Sequence, residues 1–217
     1  MKSKKLKKWT TLLTCATALT VMTACSQSSS QSTGTTSSTT SKTSAVTATT
    51  SKKTNKNNSN YFTSKDSDTS YNESSATKIK LSGSSADVSG DGAALSGSTV
   101  TISKAGTYVI SGKSDGVQIK VDAGDSDDVH IVLDGATMTN TNAAINATKA
   151  GHVYLTLKDG TTNTLSDSSS NSDEDADAVI FSKGDLTING SGTLNIDAKK
   201  NNGIKANDSL HMTGGTY

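Results

Sequence analysis

The sequence predicts an all-β fold of the solenoid kind, a parallel β-helix, on three observations: a recurring strand pattern, a second pattern at the same period, and the absence of proline. The first pattern is clearest at Val129, Ile131 and Leu133, which alternate with His130 and Val132 and run into Asp134 and Gly135. That is the signature of a strand that buries one face. Val153, Leu155 and Leu157 repeat it 24 residues later, ahead of Asp159 and Gly160. Leu186 and Ile188 open a third copy ending in Gly190, and Leu210 and Met212 a fourth ending in Gly214 and Gly215, again 24 residues on. The middle gap is 33 residues, and its excess coincides with the Ser, Asn and Asp stretch from Ser166 to Asp175, read as one inserted surface loop.

The second pattern keeps the same step. Ile145, Ile180 and Ile204 each stand six to eight residues before the next strand, and Asn142, Asp177 or Asn201 precedes each by three positions. Short strands and turn residues at a repeat of 20 to 30, with no helical period, mark coils that cannot cover their own apolar faces and must stack on neighbours. Each rung then buries about three aliphatic side chains, each worth roughly 1.5 to 3 kcal/mol. A chain without proline leaves such strand ladders uninterrupted.

Three segments are expected in chain order. Residues 1–24 read as a signal peptide: Lys2, Lys4, Lys5, Lys7 and Lys8 form a basic start, and Leu12 to Ala24 is an apolar stretch too short to span a bilayer. Met22, Thr23, Ala24 and Cys25 resemble a bacterial lipoprotein signal, with Cys25 lipidated as the mature N-terminus. Cys15 leaves with the signal, so the mature chain has one acylated cysteine and no intrachain disulfide. Acyl chains at ~0.8 kcal/mol per buried methylene anchor it to the membrane. Residues 25–80, rich in Ser, Thr, Asn and Lys, bury too little apolar surface to offset ordering entropy and read as a disordered tether. Fifty such residues reach roughly 40 Å. Tyr61, Phe62 and Tyr71 are isolated aromatics within it.

Residues 81–217 are the predicted β-helix. Val100 and Ile102, Tyr108 and Ile110, and Val117, Ile119 and Val121 form three short runs outside the 24-residue frame, expected to be a capping coil that blunts one end of the solenoid. Tyr217 falls within a repeat, which implies a truncated solenoid with further coils beyond it, or another protein pairing with that edge. The formal net charge of +1 conceals an uneven distribution. From Leu81 onward 17 acidic residues face 9 lysines, a balance of −8, whereas residues 26–80 hold 7 lysines against 3 acids. So acidic a module excludes nucleic acid as its partner.

The segments VSGDGAALSGSTVTISKAGTYVISG (Val88 to Gly112), DDVHIVLDGATMTN, DADAVIFSKGDLTINGSGTLNI and NNGIKANDSLHMTGG resemble the Gram-positive carbohydrate-binding family with a pectate-lyase-like right-handed β-helix. The resemblance covers about residues 85–217. It implies binding of extracellular polysaccharide such as cellulose or polygalacturonate, with calcium in the fold, on the outer face of the cell membrane. It carries no short motif whose residues transfer, so candidate sites are read from this chain alone.

Asp173, Glu174, Asp175 and Asp177 crowd four carboxylates into the inserted loop, and Asp125, Asp127 and Asp128 crowd three before a strand. Hard oxygen ligands this close suit calcium, which would relieve their repulsion. Asp177, aligned with Asn142 and Asn201, also reads as part of a structural ladder of turn residues. The outward residues His130, Tyr154, Thr187 and His211 form a predicted carbohydrate-binding row spanning about 14 Å at roughly 4.8 Å per rung. Aromatic faces stack on sugars, while His and Thr fix orientation by hydrogen bonds. Lys120, Lys158, Lys183 and Lys205 are candidates to pair with uronate carboxylates.

Pectate lyases, which the fold resembles, use calcium and an arginine base, and all 21 basic residues here are lysine. The sequence reading is therefore a surface-anchored lipoprotein that binds polysaccharide without altering it. A wall-spanning adhesin or stalk without sugar affinity is the alternative, and a calcium-dependent lyase the third.

Overall fold

The computed structural model describes residues 61–217. The predicted signal peptide, Cys25 and the tether as far as residue 60 lie outside the described residues. Strands β1 (Thr77–Gly83), β2 (Ser85–Ser89), β3 (Ala93–Ser96), β4 (Thr99–Ile102), β5 (Gly106–Asp115) and β6 (Gln118–Asp122) open the fold. They are followed by β7 (Asp128–Thr139), β8 (Ile145–Lys149), β9 (His152–Leu157) and β10 (Thr162–Ser166). After the inserted loop come β11 (Ala178–Ser182), β12 (Asp185–Gly190), β13 (Thr193–Asp197), β14 (Asn202–Ala206) and β15 (Leu210–Met212).

Alternation of side chains decides which residues meet. A nine-stranded sheet has the spine β15-β12-β9-β7-β5-β1-β2, with β10 joining β7 to β13 beside it, and a six-stranded sheet runs β14-β11-β8-β6-β4-β3. Ile131 pairs with Leu155 and Leu155 with Ile188, in parallel register, and all three lie at 1% exposure or less in one core cluster. Ile145, Ile180 and Ile204 align in the same way across the second sheet. Each aliphatic row therefore continues from strand to strand, and the extra residues between β10 and β11 leave the register untouched because they fall in a turn. Asn163, fully buried, completes one corner: its Oδ1 accepts the Ala136 N–H at 2.9 Å and its Nδ2 donates to the Thr193 carbonyl at 3.2 Å. It supplies hydrogen bonds the strand ladders leave open where the chain turns.

Three expectations are corrected. The runs in β4, β5 and β6 are not a separate capping coil. Val100 pairs in parallel with Ile119, and Tyr108 with Ile131, so both runs belong to the main stacks. What varies is turn length, to which a fixed frame is blind. The stack is blunted instead by two antiparallel edge strands, β2 on β1 and β3 on β4. The ordered fold also begins earlier than Leu81: β1 starts at Thr77, and residues 61–76 are held against the nine-stranded sheet by the contacts described below. Finally, the inserted loop is more than surface. Asp167, Asn171 and Ala176 are buried, and Asp167 Oδ1 accepts the Lys199 N–H at 2.6 Å, tying the loop to the following strand connection.

Candidate functional site

The predicted row exists in register. His130 pairs with Tyr154, Tyr154 with Thr187, and Thr187 with His211 across β7, β9, β12 and β15. It does not face open solvent, because residues 61–76 cross it as a strap. Phe62 tilts against His211 with ring centroids 5.1 Å apart, Lys65 lies 4.8 Å over the Tyr154 ring and pairs with Asp128, and Tyr71 meets His130 edge-on at 6.0 Å. Tyr71 also packs on Ala76, Val109 and Val132. Thr187 is fully buried and Tyr154 nearly so, His211 stays partly exposed, and His130 and Tyr154 border a cleft of about 270 Å³ beside Lys65, Asp68 and Asp128.

Asp66 is the anchor of the strap, at 1% exposure. Its Oδ1 accepts the Thr187 hydroxyl at 2.6 Å and faces His211 Nδ1 at 3.1 Å, while its Oδ2 accepts the N–H of Thr63 at 2.7 Å and its hydroxyl at 2.9 Å. Asn189 donates to the carbonyls of Asp66 and Asp68, and Thr213 donates to that of Asp66. Burial alone would push this carboxyl up, but the bonds from Thr187, Thr63 and His211 outweigh it and hold the group well below the usual carboxylate range. Because the Thr187 hydroxyl donates to Asp66, it accepts from His152 Nε2, 2.8 Å away. Likewise Thr156 donates to Asn189 Oδ1 and accepts from His130 Nε2 at 2.7 Å. Burial pushes His130 and His152 down, so both are neutral donors near pH 7.

The acidic groups predicted to hold calcium are not brought together. Asp173 Oδ1 accepts the N–H groups of Asp175 and Ala176, and Asp177 pairs with Lys205 at 2.6 Å, an ion pair that lowers its pKa. Asp125 approaches Lys149 at 3.6 Å, Asp127 Oδ2 accepts the Gly124 N–H at 2.9 Å, and Asp128 pairs with Lys65. Glu174 is exposed on the loop. Among the described residues no three carboxylate, imidazole or thiol groups converge as a cation site requires. Neighbours in sequence point apart here, each toward its own protein partner, so these residues do not fit calcium. The proposed ladder of Asn142, Asp177 and Asn201 is likewise no stack of like amides: Asn142 Oδ1 accepts from Ser172 N, and Asp177 is taken by Lys205 and Asn202.

The inserted loop instead walls a cleft of about 370 Å³ on the outer face of the six-stranded sheet. Asn146 of β8 and Phe181 of β11 are paired neighbours on that face, and Thr148, Lys183 and Asn207 continue it. Asp173, Asp175 and Ala176 close the side, and Phe181 packs with Ala143, Ala176 and Ala178 beneath the loop. Thr148 and Lys183 also line a second cleft with Asp122, Asp125, Lys149 and Asp208, so the two clefts adjoin. Asn146 is only 7% exposed, and its Oδ1 has no hydrogen-bond partner. A buried acceptor left unpaired costs about 1–3 kcal/mol.

Sequence reasoning overlooked Asn146, Phe181 and Asp66. A signal for the first was present, since an Asn within the AAINA run is depleted in strands and points away from Ile145 and Ala147. The only local mark of Asp66 is its capping pair with Thr63 three residues before it, whereas Thr187 and His211, which bind it to the sheet, lie more than 120 residues away.

Relatives place these faces in context. A carbohydrate-binding domain-containing protein of Acetivibrio thermocellus is 40% identical over 131 residues, which are 58% of this chain and 46% of the relative. The solved structure of a polysaccharide lyase-like protein from C. thermocellum, a gadolinium derivative, matches with a TM-score of 0.62 at 36% identity, covering 64% of this chain and 59% of that one. The chain thus spans about half the length of these relatives. The model of the family described as carbohydrate-binding domain-containing protein matches residues 96–217, a span that begins after the strap and includes the whole groove walled by the inserted loop. With more than half of its residues inside that match, the chain belongs to this carbohydrate-binding domain family.

Proposed function

We propose that this chain binds extracellular polysaccharide without altering it, and that the groove on the six-stranded sheet is the binding surface. The observation that carries the reading is the cleft walled by the inserted loop, which sets the amides of Asn146 and Asn207, the Thr148 hydroxyl and the carboxylates of Asp173 and Asp175 around the Phe181 ring. Concave surfaces with a few convergent polar groups are where sugars bind. The name of the family and the lyase-like description of the structural relative support a glycan ligand. All three histidines of the chain, His130, His152 and His211, stand on the other sheet, so the groove offers no imidazole for proton transfer. The parallel registers, conserved across 24- and 33-residue steps, support the further reading that the strands wind as successive coils of a right-handed β-helix.

Retention of the mature chain on insoluble glycans tests the proposal, and Asn146→Ala should weaken binding about tenfold, equivalent to ~1.4 kcal/mol. No retention on any glycan would leave the wall-stalk alternative standing. Release of unsaturated uronate products would instead make the protein a lyase. The residues before Tyr61 supply the proposed anchor at Cys25, which would hold the module on the outer face of the cell membrane. Cys25→Ser should release the protein into the medium, and continued membrane retention refutes lipidation.

A further inference from the structure

We infer that residues 61–76 exchange between copies of this chain, the strap of one docking on the nine-stranded sheet of a second so that each lends its Asp66 to the other. The way the segment is held points to this. It adds no strand to the sheet, and among the described residues no backbone–backbone hydrogen bond joins residues 61–75 to a strand. The bonds of Asp66 N to Thr63 and of Asp68 N to Lys65 stay within the strap, so its release breaks no ladder. Its hold on the far strands comes from one carboxylate and two carbonyls, which accept from Thr187, Asn189 and Thr213 and face His211, with Phe62 laid on His211 and Lys65 on Tyr154. Between its two buried residues, Asp66 and Ala76, every position but the half-buried Tyr71 is exposed. At about 3.3 Å per residue that stretch reaches roughly 30 Å when extended, enough to carry Asp66 off its own sheet.

The covered face also tolerates release. Thr156, Thr187, Asn189, His211 and Thr213 bear hydroxyl, amide and imidazole groups that water can satisfy, and the core rows do not include the strap. An apolar face would pay far more for being uncovered. What the vacated face then requires is a carboxylate, the carbonyls at and two residues beyond it, and an aromatic ring four residues before it. The strap of a second copy offers that set by identity, and exchange of an identical element is a low-cost route to a dimer. Within one copy the strap competes at an effective concentration on the order of mM, so pairing is favoured where copies crowd to that level. The site lies on the nine-stranded sheet, apart from the clefts of the six-stranded sheet, so this inference stands independently of glycan binding.

Complementation between two variants tests it by sedimentation equilibrium, with every chain in the Cys25→Ser form. Asp66→Ala keeps the docking face but weakens the strap, whereas the double variant Thr187→Val, Thr213→Val keeps the strap but removes two donors from the face. Neither alone joins a sound strap to a sound face. The equimolar mixture is expected to dimerise at concentrations about tenfold below either variant by itself, the effect of restoring a hydrogen bond to a charged group. Thr213→Val alone, isosteric and only partly buried, takes the place of the double variant if amide protection of β7 and β9 shows that the latter does not fold. A mixture no more associated than its components overturns the inference. So does undiminished pairing when Asp66→Ala is added to the double variant, which would put the contact elsewhere, as at the exposed Leu210 and Met212.

Discussion

Replacing Asp66 by alanine is expected to release residues 61–76 from the nine-stranded sheet. The change removes a carboxylate that accepts from Thr187, from the backbone and hydroxyl of Thr63, and from His211. Hydrogen bonds to a charged group contribute roughly 1.5–3 kcal/mol, and the Thr187 hydroxyl would be left buried without its acceptor. A local loss of about 2–3 kcal/mol corresponds to roughly 30- to 150-fold faster hydrogen exchange in the strap. Amides of β7, β9 and β12 should keep their protection, because the core rows do not include the strap. Unchanged exchange in residues 61–76 would show that Tyr71, Phe62 and Lys65 hold the segment without its carboxylate.

The same group makes the strap sensitive to acid. Its folded pKa lies below the unfolded value, so its contribution is complete above the ordinary carboxylate range of about 4 and is lost as pH falls further toward the folded value. Strap exchange should therefore accelerate below about pH 4 in the native chain, and much less in Asp66→Ala. Release of the strap would open Tyr154, Thr187 and His211 to solvent, turning the sequence-predicted row into an accessible surface.

Much of the fold was legible because one physical signal was repeated. Ile131, Leu155 and Ile188 sit in register because a strand must send alternate residues to one face, and sequence spacing reports that directly. The strap was illegible for the opposite reason. Its apolar residues, Tyr61, Phe62, Tyr71 and Ala76, follow no strand or helix period, and it is held by a buried carboxylate and by aromatics whose partners come from distant strands. The inserted loop was located correctly, but its carboxylates were read as converging when Asp173 and Asp177 turn to separate partners. Asn146 carried a local mark, an Asn inside a strand run, but its place beside Phe181 under the inserted loop depends on a pairing between distant strands.

Gly190→Ala is expected to cost more stability than any exposed substitution, about 3 kcal/mol or more, because two separate penalties coincide there. Gly190 ends β12 with φ of 97°, a conformation that a side chain disfavours by roughly 1–2 kcal/mol. In addition, a Cβ there would overlap the carbonyl oxygen of Leu157 and approach its nitrogen to 2.8 Å. That oxygen already accepts the N–H groups of Ser191 and Gly192, each at 3.1 Å, so it cannot withdraw without opening the turn. Gly214 stands in the same relation to Gly190 one step along the stack, so a displaced corner is passed on to the next one. Gly160 separates the two penalties: its φ is 70°, but a Cβ there meets nothing within 4 Å. Gly160→Ala should therefore cost only about 1–2 kcal/mol, the conformational part. Denaturant unfolding of the two variants measures the difference as a shift in midpoint at constant slope. Equal shifts would mean that the corner yields, and that the close backbone approach between successive turns does not fix the spacing of the strands.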